Sequence, residues 1–187
     1  MSNSLTTIIL IGPIGSGKST IGKLIAEKLA LPQFSMDQKR WEYYREIGYD
    51  EELVQQKQQA GDFWGVQNYW KPFEAHGVER LLSECNQGII DFGAGHSVYE
   101  DDVLFQRVQQ ALKPYTNVFL LLPSPHVEES LQILKQRNEG MPEGIQEINE
   151  HFVRHPANYQ LAKFTVYTQN KTPQETCQEI INKVDTK

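Results

Sequence analysis

Apolar positions change their period several times along the chain, and each change marks an element. Residues 5–11 carry β-branched Thr6, Thr7, Ile8, Ile9 and Ile11 in one short run. Such a run without polar alternation predicts a strand buried on both faces, as in a parallel sheet. After the glycine-rich turn from Gly12 to Gly17 the period becomes helical. Ile21, Leu24, Ile25 and Leu29 share a face, Lys23, Glu27 and Lys28 lie off it, and Pro32 closes the helix. Residues 33–37 predict a weaker second strand with Asp37 at its end. Further strands are predicted at 88–92, 118–122 and 164–168, and helices at 102–112, 126–137, 145–153 and 173–184. Residues 38–80 are dense in aromatics (Trp41, Tyr43, Tyr44, Tyr49, Phe63, Trp64, Tyr69, Trp70, Phe73) and predict helix broken near Gly48, Gly61 and Gly65, with another helix over 78–85. Strands alternating with helices predict a three-layer α/β/α fold around a five-stranded parallel sheet, as one domain over 1–187.

Composition narrows the function classes. The 187 residues are 39% apolar and 22% charged, with a net charge of −6, which describes a soluble globular protein and argues against non-specific nucleic-acid binding. The N-terminus lacks a basic segment and its apolar run stops at Gly12, so neither a signal peptide nor a membrane span is expected, and the expected location is the cytoplasm. Cys85 and Cys177 are far apart and read as ordinary thiols. His96, His126, His151 and His155 are scattered without metal-ligand spacing and read as residues at the surface or behind a site.

The most specific signal is the phosphate-loop motif Gly12-Pro13-Ile14-Gly15-Ser16-Gly17-Lys18-Ser19, followed by Thr20. Glycines let the backbone curl so that successive N–H groups point at anionic oxygens. The helix that follows adds its free N–H groups and positive dipole end. Lys18 is placed to reach the β- and γ-phosphates, and the Ser19 hydroxyl to ligate Mg²⁺. The expected ligands are therefore ATP and Mg²⁺. Asp91 ends an apolar strand beside this loop, a Walker-B-like placement that makes it either a Mg²⁺ ligand or a turn-forming residue before Gly93.

The segment Gly12 to Lys23 is similar to the start of shikimate kinases and related small-metabolite kinases. Residues 34–38 resemble the stretch where that family carries an Asp-x-Asp motif. Gly93-Ala94-Gly95 resembles its triple-glycine loop, and residues 149–168 resemble its Arg-x-Pro-x-Tyr helix and last strand. The resemblance implies phosphoryl transfer from ATP to a hydroxyl of a small-molecule acceptor, a helical acceptor-binding region at 38–80 and a lid at 137–153.

It also implies residue roles. Asp37 matches the acid that holds and activates the acceptor hydroxyl, which its expected place at a strand end beside the phosphate loop favours; the alternative is an N-cap for a helix beginning near Gln38. Arg154 matches an anion-binding arginine; the alternative is an ion pair with Glu147 or Glu150. Arg137 would stabilise charge on the transferred group or complete a helix C-terminus. Gly93, Ala94 and Gly95 would let the acceptor approach the backbone or simply turn the chain, and Gln169, Asn170 and Pro173 would wrap the adenine. The sequence departs from the family where Ser35 replaces the first acid, where Ala94 replaces the middle glycine, and near Lys71, Glu74 and Arg80, where the acid-binding arginine has no counterpart. These departures predict an acceptor other than shikimate. They also keep open a nucleoside or nucleotide kinase, with the 41–73 aromatics stacking a base, and a nucleotide-binding switch without turnover. Either a monomer or a homodimer is compatible with the sequence.

Overall fold

The computed structural model describes residues 7–142 and 144–185; Leu5 and Thr6 of the predicted first strand, the N-terminal residues before them and Glu143 of the predicted lid lie outside these. Five parallel strands form one sheet in the order β2-β3-β1-β4-β5: β1 (Thr7–Ile11), β2 (Gln33–Ser35), β3 (Gly88–Asp91), β4 (Val118–Leu122) and β5 (Phe164–Tyr167). Every residue of β1, β3 and β4 is buried, which is why these strands read as unbroken apolar runs.

Side chains alternate between two cores. Ile8 and Leu10 join Ile21, Ile25, Ile180 and Ile181 on the face covered by α1 (Lys18–Leu29) and by a C-terminal helix, Pro173–Asp185. Ile9 and Ile11 join Val78, Leu81, Val108 and Leu161 on the other. That second face carries α4 (Phe63–Glu84), α5 (Asp102–Leu112), α6 (Val127–Arg137) and α8 (Pro156–Leu161). Between them run α2 (Met36–Glu46), α3 (Glu51–Gln59) and α7 (Ile145–Arg154), so that the C-terminal helix is α9. No described helix is long and apolar enough to cross a membrane. Cys85 and Cys177 are buried free thiols.

Four differences from the sequence expectation have physical causes. Strand β2 stops at Ser35, because Met36, Tyr43 and Tyr44 recur at helical spacing and bury one face of α2. Asp37 therefore lies in the first turn of a helix, not at a strand end, and the residue in the N-cap position is Ser35. Gly65 does not break the chain; Asp62 caps α4 by accepting from the Gly65 N–H at 2.8 Å. The helix expected at 78–85 is the end of this 22-residue α4, which runs through Pro72 because the proline sits exposed while Phe73, Ala75 and Val78 are buried beside it. Pro156 closes one helix and also opens another, since proline is tolerated in a first helical turn.

Helix α1 ends in a Schellman turn: Leu31 N–H bonds to Ala26 O at 3.0 Å and Ala30 N–H to Glu27 O at 3.4 Å, with Ala30 at φ 52°. Alanine there carries left-handed strain that glycine would not. Ala30→Gly is expected to stabilise the fold by about 0.5–1 kcal/mol; urea unfolding reads it, and a lowered midpoint would count against the turn.

Candidate active site

The phosphate loop lies at the junction of β1 and α1. Gly12, Gly15 and Gly17 have φ of 142°, 80° and 94°, values that a side chain would strain. No side chain caps α1 at Gly17, so its first N–H groups and positive end remain available to an anion. Lys18 Nζ donates to Gly12 O at 2.8 Å and Pro13 O at 2.9 Å. Burial pushes this ammonium down to about 8, against the opposing pull of Asp37 and Asp91.

Two asparagines hold the loop from outside. Asn149 on α7 accepts from Ile14 N–H and donates to Ile14 O, both at 2.8 Å. Asn138, just past α6, donates to the same carbonyl at 3.1 Å. Both amides are buried. Ile14, Phe63 and Ala94 pack against the buried cluster of Val98, Ile148 and Phe152, so α7 is docked on the loop by polar and apolar contacts together. The methyl of Ala94, where the resemblance expects glycine, fills part of this cluster.

Asp91 is 1% exposed. Its Oδ1 accepts from Ser19 Oγ at 3.0 Å and Ser35 Oγ at 2.9 Å, and its Oδ2 from Gln33 Nε2 at 2.7 Å. Ser35 and Asp91 are partners in the β2–β3 register. The acid missing from β2 is thus present one strand over, at the same level as Ser19.

Asp37 faces the loop after β3. Its carboxylate is 3.5 Å from Arg40, one turn along α2, whose guanidinium lies 4.4 Å from the Trp41 ring centroid. Gly93 has an ordinary extended backbone; a Cβ there would sit 2.7 Å from His96 Nδ1 and 2.9 Å from Asp37 Oδ1. Gly93 is therefore needed for space, and Gly95 likewise makes room for the Glu74 carboxylate. His96 is buried, hydrogen-bonded through Nε2 to Tyr44 OH at 3.0 Å, and held neutral by burial, which drives its pKa to about 3. Lys71 and Glu74 form a buried pair at 2.7 Å, and Lys71 also donates to Gly95 O at 3.2 Å. Arg40, Asn138 and Asn149 were not among the residues expected at the site. Arg40 carried a signal, its i,i+3 spacing from Asp37; the asparagine contacts span more than a hundred residues and leave none.

The predicted arginines part company. Arg137 donates to Gly15 O and Thr168 Oγ1, both at 3.3 Å, beside a cleft of about 280 Å³ lined by Gly15, Gly17, Thr20, Thr168 and Pro173. Arg154 is exposed and bonded to Glu150 at 2.8 Å and Glu128 at 2.6 Å, so it is not brought to the loop. Of the remaining predicted adenine residues, Gln169 donates to Glu129 at 2.6 Å and Asn170 turns the chain at φ 57°. Tyr43, Tyr44 and Phe73 are buried packing. Trp41, Tyr49 and Trp70 instead line, with Arg40, a cleft of about 400 Å³.

The shikimate kinase family profile matches residues 14–185. A shikimate kinase of Rhodococcus jostii is 28% identical over 190 residues, covering 94% of this chain and 96% of that protein. One of Persephonella marina is 26% identical over 181 residues, covering 96% and 99%. In fold, the chain resembles the Acinetobacter baumannii shikimate kinase in complex with shikimate, with a TM-score of 0.70 at 19% identity, covering 98% of this chain and 94% of the other. It also resembles a gluconokinase of Sinorhizobium meliloti, with a TM-score of 0.61 at 16% identity, covering 99% and 94%.

The buried ammonium makes a prediction about protons. A polyanion reaching Nζ raises a pKa that burial holds at about 8, so triphosphate binding at pH 8 takes up protons. Titration calorimetry in buffers of different ionisation enthalpy reads the uptake, and Lys18→Met abolishes it together with most of the affinity. Unfolded lysine titrates near 10.5, so between pH 8 and 10.5 the unfolded chain binds more protons and stability rises with pH. Lys18→Met should lack that rise; an identical pH slope in the variant would contradict the assignment.

Proposed function

This chain belongs to the shikimate kinase family and is an ATP-dependent small-molecule kinase, and on that premise we propose how its own residues divide the work. The loop from Gly12 to Ser19, with Thr20, holds the triphosphate. Lys18 exchanges its two backbone carbonyls for phosphate oxygens. Arg137 and Pro173 line the nucleotide side. Ser19 and Asp91 hold Mg²⁺: their donor atoms are all oxygen, and the buried carboxylate has neutral hydrogen-bond partners in Ser19, Ser35 and Gln33, a set that suits a hard divalent cation. When bound, the ion supplies charge neutralisation on the phosphates.

On the other side of the loop, Asp37 orients the acceptor hydroxyl and takes its proton. Arg40 fixes that carboxylate, and the backbone of Gly93, Ala94 and Gly95 borders the acceptor. Residues 38–80 form the acceptor region and 137–153 the lid, whose helix α7 closes over Ile14 and excludes water. Arg154 can join only by leaving Glu128 and Glu150, which ties an anion-binding role to movement of α7.

The acceptor is a small hydroxylated metabolite other than shikimate. The cations bordering its site are already engaged, Lys71 with Glu74 and Arg40 with Asp37. An acceptor recognised through hydroxyls fits that balance better than one recognised through a carboxylate. Uncharged polyols and sugars are therefore the first acceptors to screen, with the sugar acid named by the gluconokinase neighbour from Sinorhizobium meliloti as the carboxylate-bearing comparison. A nucleoside is the second reading, supported by the cleft that Trp41, Tyr49 and Trp70 line beside Arg40. Labelled ATP offered with each class of acceptor separates the two.

The observation that carries the reading is the Asp91 cluster shared by α1, β2 and β3. Asp91→Asn should lower kcat on the order of 100-fold. Adding Ser35→Asp to that variant moves the acid back to its register partner and should restore about tenfold. Additive losses in the double variant would show that the two positions do not serve one ion.

A further inference from the structure

Glu100, His151 and His155 converge away from the phosphate loop, one potential ligand atom of each lying within 4.8 Å of the others. The histidines sit one helical turn apart at the end of α7, with ring centroids 5.1 Å apart. Glu100, in the segment before α5, reaches His151 Nε2 at 2.5 Å. The i,i+4 spacing of these histidines suits a shared ion, contrary to the expectation that they lack metal-ligand spacing; the carboxylate comes from 51 residues away and cannot be paired with them by spacing.

We propose that Glu100, His151 and His155 bind one borderline divalent transition-metal ion, of the Zn²⁺, Ni²⁺ or Cu²⁺ class, which staples α7 to the segment preceding α5. Two imidazoles and a carboxylate select such ions over Mg²⁺, and three protein ligands leave a coordination position for water. The all-oxygen set of Ser19 and Asp91 has the opposite preference, so two kinds of ion sort themselves by chemistry. His155 Nδ1 accepts from Ala157 N–H at 3.2 Å, which places the imidazole proton on Nε2. Binding through Nε2 moves that proton to Nδ1 and gives up this long cap, so no proton need be lost. Burial also favours the neutral ring, which is the ligating form. Because α7 carries Asn149, which grips Ile14, an ion at its end restrains the lid and slows turnover.

Trp64 supplies the readout, its ring standing edge-on 5.2 Å from His151. Ni²⁺ is titrated into the full chain in millimolar Mg²⁺ while tryptophan emission is followed. Saturable quenching at one equivalent is expected, absent in Trp64→Phe and unchanged in Asp91→Asn, with its midpoint shifted about tenfold or more in His151→Ala and in Glu100→Gln. Glu100→Gln keeps a polar partner for His151, so its shift cannot be assigned to unfolding; thermal melts of both variants check this. No quenching in the parent protein, or a parental midpoint in either cluster variant, overturns the proposal. The outcome does not depend on the identity of the phosphate acceptor.

Discussion

Asp91 draws hydrogen bonds from Ser19 on α1 and from Gln33 and Ser35 on β2 while its own strand lies between β2 and β1. A carboxylate so deeply buried is tolerable only when its lone pairs are met. Meeting them fixes three elements to one another at the carboxyl ends of the strands, the edge where open α/β sheets bind ligands. Lys18 lies within electrostatic reach of both Asp91 and Asp37. The glycine-rich loop, the Ser19 and Asp91 oxygens and Asp37 are therefore gathered at one edge of the sheet around a single local solution to a desolvation problem.

The second constraint is the latch between α7 and the loop. The Asn149 amide pairs with both backbone groups of Ile14, as a neighbouring strand would. The loop is thus held at Ile14 through both of its backbone groups. The apolar cluster around Ile14, Ala94 and Phe152 adds burial to the same contact. Helix α7, secured in this way, is coupled directly to the backbone of the glycine-rich loop.

Most of the fold was legible in the sequence because central parallel strands leave a strong trace: Val118 to Leu122 is apolar at every position because both its faces are covered. The phosphate loop was legible because its glycines and lysine answer a chemical need at fixed spacing. Asp37 was misplaced because β2 is a three-residue edge strand, too short for periodicity to separate from the helix it enters. The helix expected at 78–85 was too short because the burial that carries α4 through Pro72 is tertiary, and α8 was not expected because Pro156 follows one helix and also suits the first turn of the next. Arg154 was assigned by resemblance, yet its acidic neighbours on α6 and α7 decide where its guanidinium rests. The asparagine latch and the Glu100 cluster depend on contacts between distant segments, which local pattern cannot report.

The register match of Ser35 and Asp91 bears on how such enzymes diverge. Side chains facing each other across two parallel strands share one small volume, so an acidic group can pass from one strand to the other through an intermediate that briefly carries both. Lineages could cross that bridge without ever losing the negative charge at the level of Ser19. A search keyed to an acid on one strand would then discard functional descendants, whereas one keyed to the shared volume would keep them.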